Sequence, residues 1–200
     1  MTKKGNTAAD FNYNSFTDDD NYWDNANEDF DEVAGDLHFC TSSYYDYMME
    51  KFNWDGLDGE GGALVAIAHV NSKYYANAFW NGSVTSYGNG NCNRYGPLTT
   101  LDVVAHEFTH GHIDFGSDLV YQDESGALNE SIADIFGKTV EYAYDAGNFT
   151  WEIGKRFVLD QTEAGIRSME DPHLKNDPSF YHGEDWEFGS SDRGGVHTNS

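Results

Sequence analysis

Two histidines four residues apart inside an apolar run constrain this chain more than anything else in it. They are His106 and His110 of Asp102-Val103-Val104-Ala105-His106-Glu107-Phe108-Thr109-His110. That spacing puts both imidazoles on one helix face, one turn apart, where both can reach one ion. The apolar neighbours bury the helix, which argues against a surface helix carrying the motif by chance. Glu107 follows the first histidine and can be brought beside water at the same ion. Zinc suits imidazole plus carboxylate, and a catalytic zinc keeps one position open. A second helix offers the missing ligand. Glu130 lies in Gly126-Ala127-Leu128-Asn129-Glu130-Ser131-Ile132-Ala133-Asp134, and Glu130 and Asp134 again share a face. One can ligate while the other accepts an N–H from a ligand histidine.

Length and charge narrow the partners. The 200 residues allow one domain, or two small lobes sharing a cleft. The formal charge of −24 repels phosphate backbones and anionic lipid, so neither nucleic acid nor membrane is an expected partner. Most of these acids solvate the surface, although such a surface can also hold Ca²⁺. No stretch reaches membrane-spanning length. Met1-Thr2-Lys3-Lys4-Gly5 has no apolar core behind its lysines, so it does not read as a signal peptide. Either the chain is intracellular, or it is secreted with leader and propeptide left out; secretion is the expectation. Cys40 and Cys92 fit one disulfide or two inert buried thiols.

The organisation reads as α+β, with a β-rich N-terminal part and a helical metal-binding part. Residues 1–36 read as an acidic irregular segment, loop or edge strand. Residues 37–98 form the β-rich part. Within it 37–53 has helical spacing through Leu37, Tyr44, Tyr45, Tyr47, Met48 and Phe52. Ala63 to Val70 and Tyr74 to Trp80 are β-prone, and Asn81-Gly82 is a hairpin signal before Val84 to Tyr87. Residues 99–200 form the helical part. Thr99 or Thr100 caps a helix running through His112. A second helix runs from Ser125 to about Tyr144, with Leu128, Ile132, Ile135, Phe136 and Val140 at core spacing.

HExxH followed by an Asn-Glu-x-x-x-Asp helix resembles the thermolysin-like (M4) family of neutral metallopeptidases, whose type member also typifies the His₂Glu zinc site. Further likenesses are Asn77-Ala78-Phe79-Trp80-Asn81-Gly82, Tyr121 to Ala127, Arg167-Ser168-Met169 and Gly194-Gly195-Val196-His197-Thr198-Asn199-Ser200. The resemblance implies a thermolysin-like, gluzincin fold and a zinc endopeptidase acting on peptides or proteins. It makes His106, His110 and Glu130 the zinc ligands, with Asn129 and Asp134 behind them. Glu107 becomes the general base. His197, oriented by Asp192, and Tyr121 become the oxyanion donors. Asn77 and Ala78 become the strand that holds the substrate, with Arg167 a donor to a substrate carbonyl or a partner of Asp134. Leu98, Val103, Ile153 and Ile166 become an apolar pocket for the residue after the scissile bond. His112 is expected to be no ligand.

The chain also departs from that pattern. Asp102, Glu141 and Glu152 match acids of a paired calcium site, where Lys155 falls on a further acidic position. At most one Ca²⁺ is expected there, with Lys155 in place of a second; Asp18 and Asp20 are a weaker calcium candidate. The N-terminal lobe is shorter than the family's. The family also continues past His197 into a helical C-terminal lobe. Without it, apolar faces would be uncovered, including the back of the active-site helix, and His197 would be loosely held. A propeptide or that lobe is a candidate partner. The alternatives are a zinc-binding but catalytically weak module that needs the lobe, and another HExxH hydrolase such as an aminopeptidase.

Overall fold

A computed structural model describes residues 2–7, 10–16, 31–71 and 74–200. In chain order the elements begin with β1 (Thr2–Thr7), β2 (Asp10–Ser15) and α1 (Asp31–Phe52). Then come β3 (Asp55–Gly56), β4 (Glu60–Gly62), β5 (Ala66–Ala68), β6 (Ala78–Trp80) and β7 (Thr85–Tyr87). The helical half holds α2 (Leu101–Phe115), α3 (Asp123–Asp145), the short strands β8 (Glu152–Ile153) and β9 (Arg167–Ser168), and the single turn α4 (Asp192–Gly195).

The main sheet has five strands in the order β2-β1-β5-β7-β6. Of the two readings of this segment, loop or edge strand, residues 2–7 and 10–15 take the second: β2 is an edge of the sheet, and β1 joins it to β5. The helix after them begins at Asp31, six residues before Leu37. Asp18 and Asp20 lie outside the described residues.

At the other end of the sheet, β6 is an edge. It pairs with β7 through Ala78↔Tyr87, Phe79↔Ser86 and Trp80↔Thr85. The tight turn between them is made by Asn81, whose Oδ1 accepts the amides of Ser83 and Val84, both at 3.0 Å. The strand is shorter than the β-prone run, starting at Ala78 rather than Tyr74.

α1 packs Leu37, Cys40, Tyr44 and Met48 into the main core, whereas Tyr45 and Phe52 of the same run stay exposed. The Tyr44 ring stacks on Phe108 at 5.7 Å, and its hydroxyl lies 2.9 Å from Nδ1 of His112. His112 is thus tied into the core side of α2. Every residue of α2 from Leu101 to Ile113 is buried, so the back of this helix is covered, contrary to expectation. Its N-cap is Thr100, but the hydroxyl bonds Asp102 rather than a helix amide.

α2 and α3 run antiparallel in close contact. A Cβ at Gly137 would lie 2.6 Å from the carbonyl oxygen of Asp102, so only glycine lets the backbones approach this far. α3 turns Val140 into the main core and packs Phe136 against it, but leaves Leu128 and Ile135 outside. Leu128 and Ile135 are 52% and 48% exposed, while Glu130, Asp134, Lys138 and Glu141 are buried. These four recur at helical spacing and form a buried polar stripe. A stripe of charges goes inside only when each charge has a partner there, and each has one, as set out below.

Candidate active site

The antiparallel register of α2 and α3 determines which side chains meet. His106 faces Asp134 and His110 faces Asn129, stepping up one helix and down the other. Nδ1 of His106 lies 2.7 Å from Asp134 Oδ1, and Nδ1 of His110 lies 2.6 Å from Asn129 Oδ1. Both partners are acceptors, so both rings carry their proton on Nδ1. That leaves the lone pairs on Nε2, and the two Nε2 atoms point at one another across 3.0 Å. Glu130 completes the focus, with Oε2 3.3 Å from His106 Nε2 and Oε1 3.4 Å from His110 Nε2. One ligand atom from each of the three residues lies within 4.8 Å of the others. Glu130 Oε2 is buried with no hydrogen-bond partner. Three converging electron-pair donors, one of them an orphaned carboxylate oxygen, suit a small cation of the zinc type.

The electrostatics also ask for positive charge at that focus. Burial opposes a charge on His106, but Asp134 and Glu130 hold its imidazole up at about 10, so a cation at the focus would displace a proton from its Nε2 to reach that lone pair. Burial and then the His106 charge push His110 down to about 4. Burial would raise Glu130 and Asp134, yet both lie below the usual carboxylate range, Glu130 through His106 and Asp134 through Arg167 and His106. Glu107 sits beside the focus with its pKa at about 7, raised by burial against the lowering effect of His106.

Behind the ligands, Arg167 forks onto Asp134, with Nε and Nη2 each 2.6 Å from a carboxylate oxygen. It does not border the cleft, so its donors serve Asp134 rather than reaching outward. On the open side, the Tyr121 hydroxyl donates to Glu130 and lies 3.2 Å from His197 Nε2. Asp192 accepts from both the backbone N–H and Nδ1 of His197, each at 2.8 Å. His197 is not left loose by the turn that bears it. Val196 is buried so tightly against α3 that a Cβ at Gly126 would lie 2.4 Å from its Cγ1. Asn199 closes the turn by bonding the backbone of Glu187 in both directions at 2.9 Å.

These groups border a cleft of about 500 Å³. Its walls are the free edge of β6, with Asn77, Ala78, Phe79 and Trp80, and opposite them Tyr121, Asp192, Arg193 and His197; the two histidines, Glu107 and Glu130 form the floor. Two further lining residues, Asp114 and Arg193, escaped the sequence argument. Asp114 was legible as the next turn beyond His110, and Arg193 lies between Asp192 and the run that begins at Gly194, both already singled out. The four residues of the expected apolar pocket lie back from this cleft. Leu98 and Val103 belong to the main core, Ile153 is buried on β8, Ile166 is 37% exposed, and none of them borders the cleft.

The expected calcium site is also different. Lys138, only 2% exposed, places its ammonium on the Glu141 carboxylate, 3.8 Å from Asp102 Oδ2, and donates to the Glu152 carbonyl at 3.1 Å. A Ca²⁺ would need to sit ~2.3–2.6 Å from those same oxygens, where the ammonium already is. Lys155 bonds the carbonyls of Gln161, at 2.7 Å, and Glu163. Lys138 was missed because an i,i+3 Lys–Glu pair looks like an ordinary surface pair in sequence. The cysteines are both free, Cys40 buried with its thiol toward Thr99 O and Cys92 exposed. No helix among the described residues is long and apolar enough to cross a membrane.

Comparison with known proteins gives a consistent picture. The family model described as thermolysin metallopeptidase, catalytic domain, matches residues 1–114, and the one described as its alpha-helical domain matches residues 117–200. A bacillolysin of Bacillus cereus is 44% identical over 177 residues, covering 87% of this chain and 30% of that protein. A thermolysin of Alicyclobacillus acidocaldarius subsp. acidocaldarius is 40% identical over 173 residues, covering 86% of this chain and 31% of that protein. The solved structure of the precursor of protealysin, a metalloproteinase from Serratia proteamaculans, superposes with a TM-score of 0.77 at 26% identity. That match covers 99% of this chain and 64% of the other. The chain thus spans about a third of the length of these curated relatives.

Proposed function

Because the chain belongs to the thermolysin metallopeptidase family, we propose that it is the catalytic part of a zinc-dependent endopeptidase. One observation carries the reading: two Nε2 lone pairs and an orphaned Glu130 oxygen converge beside a buried carboxylate, in a cleft walled by a free strand edge.

His106, His110 and Glu130 would hold the metal, oriented by Asp134 and Asn129. Zinc held there supplies the Lewis acidity that polarises a peptide carbonyl and acidifies water. The chain does the rest. Asn77 and Ala78 lie at the edge where an extended peptide adds as a further strand, through backbone hydrogen bonds. Glu107 takes a proton from the attacking water, and a carboxylate held at about 7 is matched to that task near neutral pH. Asp192 fixes the orientation of the His197 ring through Nδ1. Tyr121 and His197 then offer two donors to charge developing on the carbonyl oxygen. Arg167 acts through Asp134, holding the carboxylate that aims His106. Extracellular location belongs to the same proposal; a calcium ion at Asp102, Glu141 and Glu152 does not, since Lys138 occupies that place.

The test is hydrolysis of a blocked peptide by the zinc-loaded chain, beside Glu107→Gln. The amide keeps the shape but cannot take a proton, and a general base contributes roughly 10²–10⁴-fold. Cleavage by the variant at close to the parent rate would sink this assignment. A second reading, a zinc-holding part that needs an added lobe for full turnover, is favoured by the exposed Leu128 and Ile135 on α3. Equal kcat for this chain and a C-terminally extended one would remove it.

A further inference from the structure

We infer that Arg193 is a specificity-determining residue that selects peptides carrying an acidic side chain within two or three residues of the cleaved bond. The inference rests on the endopeptidase reading and adds to it a class of substrate.

Among the described residues, Arg193 is the only lysine or arginine bordering the cleft. Its guanidinium lies over the Tyr121 ring, with Cζ 5.3 Å from the centroid. Among the described residues no carboxylate pairs with it and no hydrogen bond takes up its donors. In a chain with 35 acidic and 11 basic residues, an arginine with no acidic partner is unusual. The acids around it are already engaged. Asp192 is held by His197, Asp114 accepts the Trp80 indole N–H at 2.6 Å, and Glu130 belongs to the ligand focus. Arg193 therefore presents a planar fork of N–H donors to the cleft, the geometry that takes a carboxylate at two points.

The backbone holds that fork in place. Asp192 and Arg193 both have left-handed φ, 47° and 53°, followed by Gly194 and Gly195 at 94° and 76°. Two consecutive side-chain-bearing residues in that region cost on the order of 1–2 kcal/mol each. The turn does two jobs: it puts Asp192 under His197 and Arg193 over Tyr121. One tyrosine ring separates the guanidinium from Glu130. Extended peptide advances ~3.3 Å per residue, so two or three residues cover that span.

The remaining charge in the cleft sharpens the effect. Outside the metal focus and its histidines, the other charged groups bordering the cleft are the carboxylates Glu107, Asp114 and Asp192, and the chain's net charge of −24 would repel an acidic peptide. Arg193 reverses this locally. An ion pair at an exposed site is worth a few-fold, up to about 5-fold, and weakens with salt.

The experiment uses two blocked peptides differing only as Glu against Gln, placed in turn at the two positions on each side of the cleaved bond. At one position the parent should cleave the Glu peptide about 3–5-fold better in kcat/KM, mainly through KM. Arg193→Ala should bring that ratio to about 1, whatever it does to both peptides together. Arg193→Glu should invert it in favour of a Lys peptide. The same ratio read as binding affinity in Glu107→Gln, with and without Arg193→Ala, tests the assignment without turnover. A parent ratio of 1 at every position, or a preference that survives Arg193→Ala, overturns the role of Arg193 and leaves the endopeptidase reading standing. Charge-selective binding without any cleavage supports Arg193 and overturns the endopeptidase reading.

Discussion

Replacing Lys138 by Met tests the claim that an ammonium has taken over the work of a cation between α2, α3 and β8. The change keeps length and apolar stem and deletes only the charge. In the parent, that charge faces Glu141 and Asp102, both about 1% exposed, and the Glu152 carbonyl. Removing one partner of a buried ion pair costs about 3–5 kcal/mol, because the other charge is left without compensation. For a chain of this length each kcal/mol moves Tm by ~2–4 °C, so the expected loss is roughly 6–20 °C at pH 8. The loss should shrink at pH 5. Glu141 is held at about 7, by burial first and then by Asp102, against the pull of Lys138. A carboxyl whose folded pKa lies above its ordinary 4.5 takes up a proton on folding. Its contribution to stability is complete below 4.5 and is withdrawn as the pH rises through 7. At pH 5 Glu141 is protonated in the fold and needs no ammonium; at pH 8 it does. Calcium gives the second readout. Lys138→Met leaves two carboxylates facing a gap, and at a Kd of ~10⁻⁴ M, 1 mM Ca²⁺ would restore about 1.4 kcal/mol. The assay is thermal unfolding by circular dichroism of the zinc-loaded proteins at both pH values, with and without calcium. A variant within about 3 °C of the parent at pH 8, or a parent stabilised by calcium as much as the variant, would refute the reasoning.

Three further outcomes follow from the site. Metal analysis after zinc loading should give one zinc per chain for the parent and far less for His110→Ala; less than half a zinc in the parent would count against the ligand set. Asp134→Asn should weaken zinc affinity roughly 10–100-fold by releasing both His106 and Arg167, read by competition with a chromophoric chelator; unchanged affinity would show that Asp134 does not orient the ligand. His197→Ala should lower kcat by about 10²-fold or more and leave zinc affinity nearly unchanged, since its nearest role is to the developing charge; a loss confined to zinc binding would place it among the ligands instead.

How far the sequence reaches depends on the range over which each arrangement is made. His106, Glu107 and His110 were legible because helix geometry alone brings them together. Glu130 and Asp134 followed from the same rule on the next helix. Tyr121 and His197, 76 residues apart, meet only because α3 and the Val196 turn close on one another; no local pattern carries that, and only family resemblance pointed to them. The first two strands of the sheet were legible only as loop or edge strand, because β1 and β2 are polar and the pairing of β1 with β5 is non-local.

α3 shows most clearly why the usual pattern argument failed. Leu128, Ile132, Ile135, Phe136 and Val140 have the spacing of a core stripe, and the rule that apolar faces turn inward would bury all five, as it does Val140 and, in part, Phe136. The helix is instead rotated so that Glu130, Asp134, Lys138 and Glu141 face α2, with Leu128 and Ile135 exposed. That rotation would be prohibitive for four isolated charges. It is tolerated because each has a partner inside. Glu130 has the ligand focus, Asp134 has His106 and Arg167, and Lys138 and Glu141 have each other. Gly137 then lets the two backbones come close enough for those partners to touch. The inversion of the apolar rule is thus itself a signal. A helix that carries acids and a lysine at i, i+4, i+8 and i+11, beside a helix of histidines, folds charge-inward only if the charges have work to do there. Such a stripe on the helix after an HExxH motif is the place to look for ligands, for the groups that aim them, and for a lysine replacing a bound ion.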